Sequence, residues 1–254
     1  AGYSYFPKMM RAHSSPSKGA DRLRRRLGDV ARRAGLIAPR PGLEDSWYQR
    51  SPFFRESVRE ELWRPDHRVL LQRSRSWNTA QFAAAGRGDP LSRCQHVDIH
   101  NYLPFDNLNK VDIASMAHGL EVRVPLLDHI LLETVARLPV NMRVRMSGLE
   151  GSGGANTPIT KYLLRRVGGR FFPPGFFDRR KMGFSVPLGR WLGALSMGDM
   201  RDRILGGAPL LRDLFCADRV EALITGPQDA GWSHRVWAMM FFSEWLRQNR
   251  VSLR

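Results

Sequence analysis

The sequence predicts a mainly α fold, and three observations carry that expectation. Apolar residues recur at helical spacing in several segments. Residues suited to capping or breaking helices punctuate those segments. Period-two alternation, the mark of a half-buried strand, occurs only briefly. The chain has 254 residues, 43% of them hydrophobic, which suits a folded protein of one or two domains.

The elements follow in order. Leu23, Leu27, Val30, Ala31 and Ala34 share a face and predict a helix over 16–37, with arginines opposite. Gly35 and Pro39-Arg40-Pro41-Gly42 end it. Phe54, Val58 and Leu62 fall four apart and predict a short helix over 53–63; a third helix is expected over 66–82. The stretch 86–90 reads as a turn, and 98–118 as one or two helices broken near Pro104. Residues 120–124 alternate apolar and charged, so they are expected to be extended. Asp128 is placed to cap a helix over 129–138, because its carboxylate can accept the free N–H groups of the first turn.

Thr157-Pro158 is expected to open another helix, with proline in the first turn, and Gly168-Gly169 to close it. In it Ile159, Tyr162, Leu163, Arg166 and Val167 share a face assigned to core packing. Ser233 is expected to cap a last helix reaching about Gln248. Val236, Trp237, Met240, Phe241 and Trp245 cover a wide arc of that helix, which predicts burial. No internal repeat is visible.

Composition narrows the functional classes. No stretch approaches the roughly 18 to 20 apolar residues of a membrane span. No charged-then-apolar leader is present, so secretion is not expected. Cys94 and Cys216 are far apart and lack metal or redox spacing, which points to a reducing cytoplasm. The chain starts at Ala1 rather than methionine, which suggests a fragment, a processed product or an incomplete gene model. Net charge is +16, and only five of the forty basic residues are lysines. Such charge can bind nucleic acid or an anionic membrane. The arginines are scattered, however, without aromatic interleaving or a zinc finger, and the favoured reading is an arginine bias spread over solvated helix faces.

Several segments carry residues suited to chemistry. The run 180–192 places Lys181 next to Gly183 and Pro187. A glycine-containing loop can approach a phosphate closely, and a lysine there is a compact cation for phosphate oxygens. A fixed cation would stabilise the charge that grows on the α-phosphate and departing pyrophosphate during adenylation. Taken alone, such a lysine is equally a solvated surface group. About sixty residues upstream, Glu121 and Arg123 lie two apart on the extended segment and point the same way. They read as a structural ion pair, with a wall of a substrate channel as the sharper alternative. In Asn101-Tyr102-Leu103-Pro104-Phe105-Asp106, Asp106 is a candidate substrate contact, or else a cap for the helix that follows. Lys161 stands at a helix start. Gly151-Ser152-Gly153-Gly154-Ala155-Asn156-Thr157 imitates a phosphate loop but reads as a flexible insertion. His234 reads as a helix-start residue rather than a base, and no histidine has triad or metal spacing.

Together and in this order, the runs 110–129 and 180–192, with Lys161 to Arg165 and the closing segment 233–247, resemble the C-terminal part of the synthetase domain of glutamine-hydrolysing asparagine synthetases. The resemblance runs from about Ala1 to Gln248 within a domain assigned to 1–254; it is weaker over 1–95, most of all between Pro16 and Arg93, and best over 96–248. It implies the helical C-terminal portion of an α/β synthetase domain of the adenine-nucleotide-hydrolase-like, or ATP pyrophosphatase, type. It implies ATP and Mg as cofactors, bound mainly by an upstream part that carries an SGG-x-D-S loop and an acidic motif. An N-terminal glutaminase, which supplies ammonia, would also lie upstream.

By the same resemblance Lys181 serves adenylation, while Gly183 and Lys161 belong to the nucleotide side. Glu121, Arg123 and Asp106 belong to the substrate side. The pair of adjacent acidic residues that the resemblance leads one to expect after Pro104 is incomplete, since Phe105 takes the first place and Asp106 keeps the second. The implied substrates are aspartate, or another carboxylate, and glutamine-derived ammonia. The alternatives are a non-catalytic remnant, a split-gene half that needs a partner chain, a relative acting on another carboxylate, and last a basic nucleic-acid-binding protein. The isolated chain is expected to lack activity and to be marginally stable or aggregation-prone, because a face that normally packs on the sheet would be open.

Overall fold

The computed structural model describes residues 5–13, 29–31, 33, 41–50, 54–146, 157–178, 186–229 and 231–252. Among the described residues the chain is mainly helical, with one pair of three-residue strands. It divides into two units, one of residues 1–48 and 77–180, the other of residues 49–76 and 181–254. Most of the helix expected over 16–37, the loop 151–156 and the run 179–185 lie outside the described residues.

In the first unit the helices are α1 (Tyr5–His13) and α2 (Leu43–Tyr48), then the second half of a helix spanning Val69–Ala84, and then α5 (Pro90–His100). The helices Glu56–Leu62 and Val69–Ala84 are α3 and α4. A π-type turn, Leu103–Leu108, leads into α6 (Asn109–Met116). After it come α7 (His129–Arg137), α8 (Val140–Arg143), strands β1 (Val144–Met146) and β2 (Pro158–Thr160), and α9 (Tyr162–Gly168). The core gathers Phe6, Trp47, Phe82, Leu91, Cys94, Val97 and Val144. Two buried polar groups find partners there, although the Nε of Arg143 has none among the described residues. Asp98 accepts a 2.5 Å bond from the Tyr5 hydroxyl. Arg143 donates to Gln95 Oε1 at 2.8 Å and to Ser92 Oγ at 2.7 Å. Pairing matters here because an unpaired buried charge costs far more than a paired one gains.

The expected caps and breaks can be compared directly. Asp128 does cap α7, accepting from the Leu131 N–H at 2.9 Å. The break near Pro104 is present, and the wider turn there accommodates a proline that cannot donate. Gly119 has φ +65, the left-handed conformation that ends a helix most cheaply on glycine. The expected start at Pro158 is overturned. Pro158 does not open a helix but begins β2, which pairs antiparallel with β1 in the register Val144↔Thr160, Arg145↔Ile159, Met146↔Pro158. Proline lacks an N–H and is tolerated as the first residue of a strand. Lys161 then turns the chain through φ 55 into α9. Val167 and Arg166 are exposed on α9, so the face assigned to core packing is less buried than its spacing predicted.

The second unit contains α3, the first half of α4, α10 (Leu188–Leu192), α11 (Met197–Arg201), α12 (Pro209–Leu214), α13 (Ala217–Thr225) and α14 (Trp232–Gln248). A π-type turn, Asp202–Gly206, lies between α11 and α12. The larger of the two cores is here, with Leu192, Met200, Ile204, Leu211, Val220, Ile224, Trp232 and Val236 fully or almost fully buried. An antiparallel bridge joins Trp63 to Phe215, with the Leu62 carbonyl accepting from Cys216 N–H at 2.9 Å.

The last helix departs from expectation in two ways. It starts at Trp232 with Gly231 at the cap, not at Ser233. Asp229 accepts from Gly231 N–H at 2.9 Å and from Arg235 at 2.8 Å, which fixes the entry two residues earlier. Nor is α14 buried all round. Val236, Met239, Ser243 and Leu246 pack inward, but Trp237, Phe241 and Trp245 are exposed, Phe241 by 63%. The arc was wide because one helix presents two apolar faces, and among the described residues this unit covers one of them.

Four carboxylates of this unit are held acidic. Arg247 and then Gln248 donate to Glu244 and lower its pKa from 4.5 to about 2. Arg201 lowers Glu221, Arg235 lowers Asp229, and the Ser196 cap lowers Asp199. A carboxyl whose pKa is depressed on folding adds stability above its unfolded pKa and loses it as pH falls through the folded value. The unit should therefore lose stability between about pH 4.5 and 2, by a modest amount because these pairs are solvent-exposed. Urea unfolding followed by far-UV circular dichroism at several pH values checks this. Glu244→Gln should flatten the decline, and a wild-type profile with no decline over that window would refute it.

Candidate functional site

Sequence reasoning placed six residues at a site, and the structure describes four of them. Lys181 and Gly183 lie outside the described residues. Glu121 and Arg123 form an ion pair on the segment between α6 and α7. Their side chains are 69% and 87% exposed, so the pair is a surface feature and contributes little to stability. That segment is not a paired strand among the described residues. Asp106 lies in the π-type turn and bonds Lys110 at 3.0 Å, one turn ahead. It does not cap α6, whose capping position is Leu108 without a side-chain bond. The wider turn carries the chain directly into α6, so no free first turn is left for Asp106 to cap.

Lys161 is exposed and carries one of two non-glycine positive φ angles among the described residues. Such a conformation is disfavoured for a side-chain-bearing residue and persists only where its surroundings fix it. Here β2 pairs before it and α9 starts directly after it. No hydrogen bond or ion pair among the described residues joins Lys161 to Asp106, Glu121 or Arg123. The structure therefore does not gather the four into one polar network.

A neighbouring cluster escaped sequence reasoning. The Tyr162 hydroxyl accepts from Arg145 at 2.6 Å and from Arg166 at 3.3 Å. The Arg145 guanidinium also lies 5.2 Å from the Tyr162 ring centroid. The Arg145 hydrogen bond, more than any other effect, pulls the phenol below its ordinary pKa. Strand pairing brings Arg145 beside Tyr162, and a three-residue strand is too short to announce itself by periodicity. Beyond α9, Phe172 and Phe176 stack at 4.3 Å and Phe177 meets both edge-on. A Cβ on Gly168 would sit 2.3 Å from Phe177 Cζ, so this helix end needs glycine to admit the ring.

The residues that anchor this region in sequence are matched by a family profile. The profile of asparagine synthase spans residues 1–247. The chain belongs to the asparagine synthase family. It is 26% identical over 215 residues to glutamine-hydrolyzing asparagine synthetase 1 of Bacillus subtilis strain 168, which covers 80% of this chain. It is 31% identical over 167 residues, 65% of the chain, to provisionally named glutamine-hydrolyzing asparagine synthetases of Mycobacterium bovis and Mycobacterium tuberculosis. The chain spans 30% of the length of the Bacillus relative and 24% of the mycobacterial ones. No solved structure matches it.

Membership of the asparagine synthase family accords with a mainly α portion of a synthetase domain. No helix among the described residues is long and apolar enough to cross a membrane. No group of three or more His, Cys, Asp or Glu among them is placed to hold a metal ion.

The exposure of Glu121 and Arg123 separates their two readings. Glu121→Gln is expected to leave the unfolding midpoint unchanged, because the pair is solvated. If the residue lines a substrate channel, the same variant raises KM for the acceptor at constant stability. A lowered midpoint would contradict the surface placement.

Proposed function

We propose that this chain is the C-terminal part of the synthetase domain of an ATP-dependent carbon–nitrogen ligase that forms asparagine. The observation that carries the reading is the family match over almost the whole chain. In this reading the aspartate side-chain carboxylate attacks the α-phosphate of Mg-ATP. Aspartyl-AMP forms and pyrophosphate leaves. Ammonia, drawn from glutamine, then attacks the acyl carbon and displaces AMP. Lys181 steadies the phosphate charge, with the Gly183 loop closing beside it, and Lys161 lies on the nucleotide side. Glu121, Arg123 and Asp106 lie on the acceptor side. ATP and Mg are held mainly by residues outside this chain, and the setting is the cytoplasm.

An exposed apolar run supports a packing role for the same segment. Phe105, Ile113, Met116, Leu120, Leu126 and Ile130 are all more than half exposed. So many large apolar side chains exposed within one stretch of 26 residues suit an interaction surface better than a solvated one. We assign it to contact with the rest of the synthetase domain, which fits a chain that is marginally stable or inactive alone.

The decisive experiment incubates the full-length protein with ATP, ammonia and a set of carboxylates. Equal amounts of asparagine, AMP and pyrophosphate, dependent on aspartate, are expected. ADP in place of AMP would overturn the adenylation chemistry. Turnover only with another carboxylate would keep the chemistry and replace the acceptor.

A further inference from the structure

His96 and His100 stand four residues apart on α5, so they share one face of that helix. Their rings lie 4.2 Å apart, centroid to centroid, at 32°. The Nδ1 of His100 is 2.9 Å from the backbone oxygen of His96. A carbonyl can only accept, so this nitrogen is the one that carries a proton, and in the neutral ring the lone pair lies on Nε2 of His100. A donor bond from the far ring nitrogen to a carbonyl is also what fixes the tautomer and orientation of metal-bound histidines. We propose that His96 and His100 form a two-point chelate for a divalent transition ion of the Zn2+, Ni2+ or Cu2+ class.

The environment suits that use. Burial, and then the nearby His100, lower the pKa of His96 from its ordinary value. Imidazole favours Zn2+, Ni2+ and Cu2+ and has little affinity for Mg2+, so the site differs in chemistry from an ATP-bound magnesium. No third His, Cys, Asp or Glu among the described residues completes a group there. The ion would keep water, or a small anion, at its remaining positions and would exchange readily. Bound there, it would clamp the last turn of α5, directly before the segment that carries Asp106 and Lys110.

Calorimetric titration of the full-length protein, without a histidine tag, with Zn2+ at pH 7.5 tests the proposal. Wild type should bind with an affinity that both His96→Gln and His100→Gln weaken by at least about tenfold, since each leaves a single imidazole and loses the chelate advantage. A double variant, His100→Asn with Asn101→His, keeps the histidine count but moves one ring off the face. It should bind as weakly as the single variants. Cu2+ electron paramagnetic resonance should show two nitrogen ligands in wild type and one in His100→Gln. Millimolar Mg2+ should not compete. Wild-type affinity in the His100→Gln or displaced-ring variant, with native far-UV circular dichroism, would place the ion elsewhere and overturn the proposal. Should His96→Gln fail to fold, the exposed His100 variants decide the matter.

Discussion

On the proposed reaction, replacing Lys181 by alanine in the full-length protein is expected to lower aspartate-dependent pyrophosphate release at least about 100-fold while leaving glutamine hydrolysis in place. The physical ground is charge that exists only while the phosphoanhydride bond breaks. A cation fixed beside that charge lowers the barrier without holding the ground state as strongly, so its loss falls on kcat more than on KM. Removing one preorganised donor of this kind costs roughly 10²–10³ in rate elsewhere. Glutamine hydrolysis is separate chemistry and should not need the lysine. Lys181→Arg keeps the charge but spreads it over a planar fork, so it should recover only part of the rate. Stopped assays of pyrophosphate and glutamate in parallel measure both arms. Normal asparagine formation by the alanine variant would remove Lys181 from the reaction.

How far the sequence could be read depended on the range of the interaction. Asp128 was legible because its cap is local: an acceptor three residues before the N–H it serves. The capping box of α11 had an equally local signal in Ser196 and Asp199, and it went unread. Pro158 misled because proline is compatible with both a first helical turn and a first strand residue. The choice was made by β1, fourteen residues earlier, and nothing local reveals that pairing. The Arg145–Tyr162 contact was hidden for the same reason. The two-unit division was hidden too, since residues 49–76 group with the C-terminal segment across a long stretch of sequence. The family was legible for the opposite reason: its motifs are contiguous runs, read without knowing what they touch. The site was less so. Four of its six residues are described, and they are dispersed over a turn, a surface segment and a helix entry.

Trp232→Ala is expected to destabilise the second unit by about 3–5 kcal/mol. Trp232 opens α14 and is 4% exposed, within the core of Ile204, Leu211, Ile224 and Val236. Truncation there removes a large apolar ring and leaves a cavity that surrounding helices cannot fully close. The indole also does a second job. Its Nε1 donates at 3.0 Å to the carbonyl of Ile224, near the end of α13, where intrahelical partners run out. Trp232→Phe keeps most of the apolar ring and deletes the donor, so it isolates the cost of an unsatisfied buried carbonyl, about 1–3 kcal/mol. The two variants should therefore fall in order below wild type in urea midpoints read by far-UV circular dichroism. A Phe variant as stable as wild type would mean water replaces the indole. An alanine variant within about 1 kcal/mol of wild type would mean that Trp232 is not part of a packed core.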